Sequence, residues 1–205
     1  MKKPKLRELK EALRAVVFGP YTTKFPAVPH TPPDGFRGKP EFHEDGCIGC
    51  GACAEVCPAL AIRVYDDSLA DPPKRCLVLR YDKCIFCGQC ELNCTTKEGV
   101  KLSKIYDLAT LDRSTCEERI EHDLVLCEIC GAVVGPPKHL RWIAEKLGAK
   151  AYANPTLILS ADGGMKVVAR PAERTAEPAI ARNDMLRVMC PACRRTTVVH
   201  ELWGE

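Results

Sequence analysis

Hydrophobic and polar positions along the chain alternate in three regimes, and each predicts a different kind of structure. Near the start, Leu6, Leu9, Leu13 and Val16 or Val17 recur at helical spacing, with Lys5, Arg7, Lys10 and Arg14 between them. One apolar stripe on a charged cylinder predicts an amphipathic helix. The next stretch, FGPYTTKFPAVPHTPPDGFRGKP, carries six prolines, at positions 20, 26, 29, 32, 33 and 40. Proline lacks the amide that helices and central strands need, so this segment is expected to be an irregular, extended arm. With little core of its own, it either folds along its own domain or lies against a partner or a membrane surface.

The middle of the chain changes to a period of two. Residues 61–65 (AIRVY) and 76–81 (CLVLRY) alternate and are rich in β-branched side chains, which predicts strands. Residues 41–45 and 100–102 are shorter strand candidates, and 66–74, ending in DPPK, reads as a loop. Tyr65 and Tyr81 are expected to be core residues. Further on, Leu140, Ile143, Ala144 and Leu147 return to helical spacing, and Gly148 is a good stop. Strands are expected over 156–159 and 196–200, a turn at Asp162-Gly163-Gly164, a strand over 165–169 and a polar loop over 171–178. The fold class is therefore α+β.

Cysteine changes the picture most, because the chain has 14 of them in 205 residues. Residues 47–58 read CIGCGACAEVCP and residues 84–95 read CIFCGQCELNCT, an internal repeat offset by 37 positions with six identities in twelve. Each is C-x2-C-x2-C-x3-C, the ligand run of bacterial two-cluster ferredoxins. A cubane cluster needs one thiolate at each of four tetrahedral corners. A tight loop supplies three, with Gly51 and Gly88 letting the backbone approach the cluster. The fourth cysteine of such a run serves the other cluster. Two 4Fe–4S clusters are therefore expected, one on Cys47, Cys50, Cys53 and Cys94, the other on Cys84, Cys87, Cys90 and Cys57. Pro58 follows the first run, but Thr95 takes that place after the second, which is expected to leave the second cluster more exposed.

Four further cysteines form two C-x-x-C knuckles, Cys127/Cys130 and Cys190/Cys193, with 59 residues between Cys130 and Cys190. Such pairs suit one structural zinc ion, with a rubredoxin-like iron or free thiols as alternatives, and a zinc ribbon with an insertion is expected. His122 and His139 lie near the first knuckle and are expected on the surface, because four cysteines already satisfy zinc. Cys76 is expected to be a buried free thiol, and Cys116 has no assigned role.

The remaining numbers narrow the class. A net charge of +3 and 6% aromatic residues do not describe a nucleic-acid surface, and RPAERTAEPAIARNDMLR mixes both signs. The basic opening is followed only by a short apolar run, residues 15–18, too brief for a secretory signal. No stretch approaches the ~20 apolar residues of a membrane helix. Reduced thiols then suggest a cytoplasmic chain. With the cysteines assigned to metals, no paired carboxylates, nucleophile–base pair or phosphate loop remain, so no catalytic centre of its own is expected. The domains expected are a helix and docking arm over 1–40, a two-cluster ferredoxin domain over 41–110, and a zinc-ribbon domain over 111–205.

The tandem runs, the N-terminal helix and FRGKPEF before Cys47 resemble subunit I of respiratory NADH–quinone oxidoreductase and its relatives in membrane-bound nickel–iron hydrogenases. VLCEICGAVVGPPKHL and MCPACRR resemble the tail of the iron–sulfur subunit of formate hydrogenlyase and hydrogenase-4. The resemblance implies an electron-transfer subunit in a peripheral arm. Its partners would be the hydrogenase small and large subunits, membrane-arm subunits, and an upstream iron–sulfur or dehydrogenase subunit. It also implies peripheral association with the inner face of the cell membrane. The stretch from about 150 to 185 departs from the family pattern. A free, diffusible ferredoxin needs only residues 40–105, and about half of this chain lies outside them.

Overall fold

The computed structural model describes residues 5–19, 21–161 and 187–203. The expected turn at 162–164, strand at 165–169 and loop at 171–178 lie outside the described residues. Residues 1–36 form one unit and 37–205 a second.

In the first unit, helix α1 spans Leu6–Phe18. The Glu8 carboxylate accepts the Lys5 amide at 2.9 Å, which satisfies one of the amides a helix start leaves unpaired. Leu6, Leu9, Leu13, Val16 and Val17 are all exposed on this unit. Residues 21–39 of the proline-rich stretch that follows form no helix or strand, as its missing amides require.

The second unit opens with the repeat. Strand β1 (Pro40–Phe42), a cysteine loop, helix α2 (Ala52–Glu55) and strand β2 (Ile62–Asp67) are followed by strand β3 (Lys74–Arg80), a second loop, helix α3 (Gln89–Leu92) and strand β4 (Val100–Leu102). The halves interlock. β1 pairs with β4 and β2 with β3, both antiparallel, so each ladder joins one strand from each repeat. Ala61, Ile62, Leu77, Leu79, Val100 and Ile120 form the core between the cysteine loops. Each fully buried leucine there contributes about 1.5–3 kcal/mol. Tyr81 belongs to this core as expected, but Tyr65 is 52% exposed. Residue 65 falls on the outer face of the β2–β3 ladder, opposite Cys76.

Strand β5 (Glu117–Asp123) has no counterpart in the sequence expectations. Five of its seven residues, EERIEHD, are charged, yet it pairs along the free edge of β3 to make the order β2-β3-β5. The alternation is present but written in polar letters: Ile120 and His122 are buried, while Arg119, Glu121 and Asp123 face outward. Glu118 accepts the Phe42 amide at 2.8 Å and bonds the Tyr81 hydroxyl, which ties β1, β3 and β5 together. The ferredoxin sheet thus takes a strand from beyond residue 110.

Strands β6 (Val125–Leu126) and β7 (Val133–Gly135) then form a hairpin around the first knuckle. Helices α4 (Pro137–Leu147), α5 (Pro155–Ala161) and α6 (Pro191–Trp203) follow among the described residues. Two expected strands are helical instead. Over 156–159, Pro155 pre-sets a first helical turn, and Asn154 caps it by accepting the Thr156 amide at 3.1 Å. Its buried residues, Thr156, Leu157 and Ser160, share one helix face. Over 196–200, the β-branched run is overruled by Pro191 and by the knuckle, whose Cys190 carbonyl accepts the Arg194 amide at 3.0 Å. Thr197 is buried and returns its hydroxyl to the Cys193 carbonyl at 3.1 Å. Among the described residues, the C-terminal region is one knuckle hairpin followed by helices.

Candidate metal centres

The two cysteine runs surround two cavities, and the ligands are distributed crosswise. Cys47, Cys50, Cys53 and Cys94 line the first, with Phe42, Leu77 and Val100. Cys84, Cys87, Cys90 and Cys57 line the second, with Ile62, Leu79 and Leu102. Each cavity thus takes three cysteines from one run and the last cysteine of the other. The local cause is the same in both halves. Gly51 and Gly88 adopt φ of +81° and +78°, a left-handed turn that starts a four-residue helix after the second cysteine. That short helix carries the fourth cysteine away from its own loop. Backbone amides then meet sulfur: Ala61 donates to Cys57 at 3.2 Å and Phe86 to Cys84 at 3.4 Å.

The thiols in these cavities are held in an unfavourable state for free side chains. Burial, with the neighbouring sulfurs adding to it, pushes Cys53 up to about 12. Burial likewise pushes Cys90 up to about 11. Cys94 moves the other way: burial raises it, but bonds from Thr96 and from the Gly99 and Val100 amides more than offset that. Four sulfurs packed in an apolar cage, with amides aimed at them, need a compensating cationic centre to become thiolates together. That donor chemistry fits an iron–sulfur cluster in each cavity.

The first cavity has polar company that the sequence reading did not anticipate. Thr95 and Thr96 line it, not the second. Thr95 follows Cys94, and Cys94 crosses over, so the Pro-to-Thr difference bears on the first cavity and not on exposure of the second. The Thr95 hydroxyl lies 3.1 Å from the Cys50 sulfur. The Thr96 hydroxyl lies 3.5 Å from the Cys94 sulfur and 2.7 Å from the Gly46 carbonyl.

His122 is not a surface residue. It is 7% exposed, and its Nε2 lies 3.2 Å from the Cys47 sulfur. Burial, with Lys138 and Arg75 nearby, pushes its pKa below the usual histidine range. Its seat is tight, since a Cβ at Gly49 would come within 2.8 Å of the His122 ring. Arg75, paired with Asp66 at 2.6 Å, holds the Gly49 carbonyl at 3.0 Å and fixes that loop. The one sequence signal was the alternation Ile120, His122, Leu124, which the surrounding charges masked. His139 is half-buried beside Trp142. Cys76 and Cys116 are half-buried and belong to none of these groups.

The remaining four cysteines do converge. The sulfurs of Cys127, Cys130, Cys190 and Cys193 all lie within 4.8 Å of one another, and Cys130 and Cys190 are 3.7 Å apart. A tetrahedron of ~2.3 Å metal–sulfur bonds has edges of roughly 3.8 Å. Gly131, at φ +72°, turns the first knuckle and returns its amide to the Cys127 carbonyl at 2.8 Å. Cys127 is opposed by burial but brought down to about 7 by the amides of Cys190, Cys130 and Ile129. Cys193 is driven up by burial and by the sulfurs around it. Four thiols this close cannot all ionise without a cation among them.

A family model described as a 4Fe-4S dicluster domain matches residues 46–98. NADH-quinone oxidoreductase subunit I 2 of Geobacter metallireducens is 31% identical over 118 residues, covering 54% of this chain and 88% of that one. NAD(P)H-quinone oxidoreductase subunit I of Gloeobacter violaceus is 32% identical over 98 residues, 46% of each chain. Formate hydrogenlyase subunit 6 of Escherichia coli is 39% identical over 54 residues, 26% of this chain and 30% of that one. The chain thus spans less than half the length of the last two. Among solved structures, a chain of the membrane-bound sulfane sulfur reductase, an archaeal respiratory membrane complex, is similar at 30% identity and a TM-score of 0.38. That match covers 56% of this chain and 60% of the other.

Proposed function

The chain belongs to the family of NADH–quinone oxidoreductase subunit I, and on that premise we propose that it relays single electrons inside a membrane-associated complex of the nickel–iron hydrogenase or formate hydrogenlyase type. The observation that carries this reading is the crossed arrangement of eight cysteines around two apolar cavities. Cys47, Cys50, Cys53 and Cys94 would hold one 4Fe–4S cluster, and Cys84, Cys87, Cys90 and Cys57 the other. The clusters supply one-electron chemistry, and the chain supplies the cage. The interlocked ladders hold the two cages at a set separation, and the apolar walls keep water from the sulfurs. Amides aimed at sulfur stabilise the thiolate charge.

The C-terminal cysteines would hold a structural zinc ion, as a closed four-thiolate site with no open position for chemistry. Residues 1–40 would serve as a docking arm, 41–110 as the cluster domain and 111–205 as the zinc-bearing domain, with β5 lent back to the sheet. The exposed apolar stripe of α1 supports the docking role. Among the described residues no helix is long and apolar enough to cross a membrane, so attachment would run through partner subunits on the cytoplasmic face.

A second reading, subunit I of a complex I-type NADH or ferredoxin dehydrogenase, is favoured by the coverage of the Geobacter relative. Capture of the tagged chain from mildly solubilised membranes, without oxygen, separates the two. Recovery of a nickel–iron large subunit with antiporter-like subunits supports the hydrogenase reading. Flavin- and NAD-binding partners move it to the dehydrogenase. Recovery of the chain alone in the soluble fraction overturns membership of a complex. Metal analysis of the anaerobically purified chain is expected to give about eight irons, eight labile sulfides and one zinc. A result of four irons is incompatible with two clusters.

A further inference from the structure

Three side chains outside the ligand set bring hydrogen-bonding groups to sulfurs of the first cavity, Thr96 at 3.5 Å from Cys94 and, closer, His122 and Thr95, and nothing equivalent meets the second among the described residues. His122 Nε2 is 3.2 Å from Cys47 Sγ, and Thr95 Oγ1 is 3.1 Å from Cys50 Sγ. In the second cavity the sulfur contacts come from the Ala61 and Phe86 amides. We propose that His122 and Thr95 are tuning residues that raise the reduction potential of the cluster held by Cys47, Cys50, Cys53 and Cys94. This inference rests on the two-cluster reading above.

The physical argument starts from the charge. A one-electron reduction adds one negative charge to a cage that already carries four thiolates, and part of that charge falls on sulfur. A thiolate has no proton to give, so the ring must present Nε2–H and the threonine must present its O–H. Each dipole is then aimed at the place where charge grows, and it stabilises the reduced state more than the oxidised one. The cavity needs such help because burial works in the opposite direction. Cys47 and Cys53 are 9% and 8% exposed, whereas every cysteine of the second cavity is half-buried. A dry cage disfavours added charge.

The geometry is held rather than incidental. His122 comes from β5, a strand outside the repeat, and stands opposite Arg75 in the β3–β5 register. Gly49, the residue that would otherwise block the ring, leaves room for it. Thr95 sits where the other run has Pro58, so the repeat departs from its own symmetry at the residue that supplies the hydroxyl.

The test is a redox titration of the anaerobic full-length chain, followed by electron paramagnetic resonance so that the two clusters are read separately. Thr95→Val keeps the shape and removes the hydroxyl. His122→Leu removes the ring N–H, and His122→Gln returns an N–H near the same place. At a fixed ambient potential, Thr95→Val and His122→Leu are each expected to lower the reduced-to-oxidised ratio of the first cluster. The expected fall is about fivefold to tenfold, where tenfold corresponds to 59 mV for a one-electron couple. The second cluster should not move, and His122→Gln should recover part of the loss. An unmoved first cluster in Thr95→Val, with both clusters present, overturns the inference while leaving the two-cluster reading intact. Equal shifts of both clusters overturn it too. Wild-type chain with fewer than two clusters defeats the earlier reading instead. Should His122→Leu lose its cluster, Thr95→Val alone decides the matter.

Discussion

Cys94→Ser is expected to remove the cluster of the first run, although Cys94 belongs to the second. Its sulfur lines the first cavity with Cys47, Cys50 and Cys53, while Cys84, Cys87 and Cys90 face the other with Cys57. Serine offers an oxygen whose proton is far harder to lose than a thiol's, so one iron corner is left weakly held. Iron should fall from about eight to about four per chain. The surviving resonance should be the one that Cys84→Ser destroys. Cys57→Ser should give the mirror result. If Cys94→Ser spared the first cluster and altered only the second, the crossed assignment would be wrong. The fold is expected to survive, because Ile62, Leu77, Leu79 and Val100 are packed from both repeats regardless of which cage is filled.

The second large effect belongs to the C-terminal cysteines. Cys190→Ala is expected to abolish zinc binding and to unfold the knuckle hairpin together with α6. Binding of zinc to such thiolate sets is worth about 10–16 kcal/mol near neutral pH. That exceeds the margin of about 5–15 kcal/mol that holds a whole small domain together. Among the described residues the apolar support beneath the site is slight, with Ile129 and Met189 the buried non-cysteine residues of its cluster. Hydrogen exchange should accelerate over residues 125–135 and 188–203, while β2, β3 and β5 stay protected. Both iron–sulfur clusters should remain, since the β3–β5 ladder runs the full length of β5 and keeps His122 in place. Retained protection in a zinc-free variant would show that packing, not metal, holds the region. Bleaching of cluster absorbance would show that the region is not independent of the cages.

How much of this was legible in the sequence depends on how local the cause was. The cysteine spacing determined by itself that two clusters were to be expected, and the paired glycines and period-two strands around them followed. A four-corner cluster demands thiolates at short fixed intervals, and those intervals are written along one dimension. The amphipathic α1, the irregular proline arm and α4 were legible for the same reason, since proline content and helical periodicity act within a few residues. Where local propensity met a distant constraint, it failed. The run TTVVH has the letters of a strand, but Pro191 and the geometry of four converging sulfurs make it helix. Strand β5 has the letters of a solvated loop, but the open edge of β3 supplies hydrogen bonds that its own residues cannot. The tertiary structure alone decided that His122, 75 residues from Cys47, lies against its sulfur, and that Thr95 serves the other run's cage. Both results come from chain crossing, and the side of the molecule to which a crossing delivers a residue is set by packing and not by its neighbours in sequence.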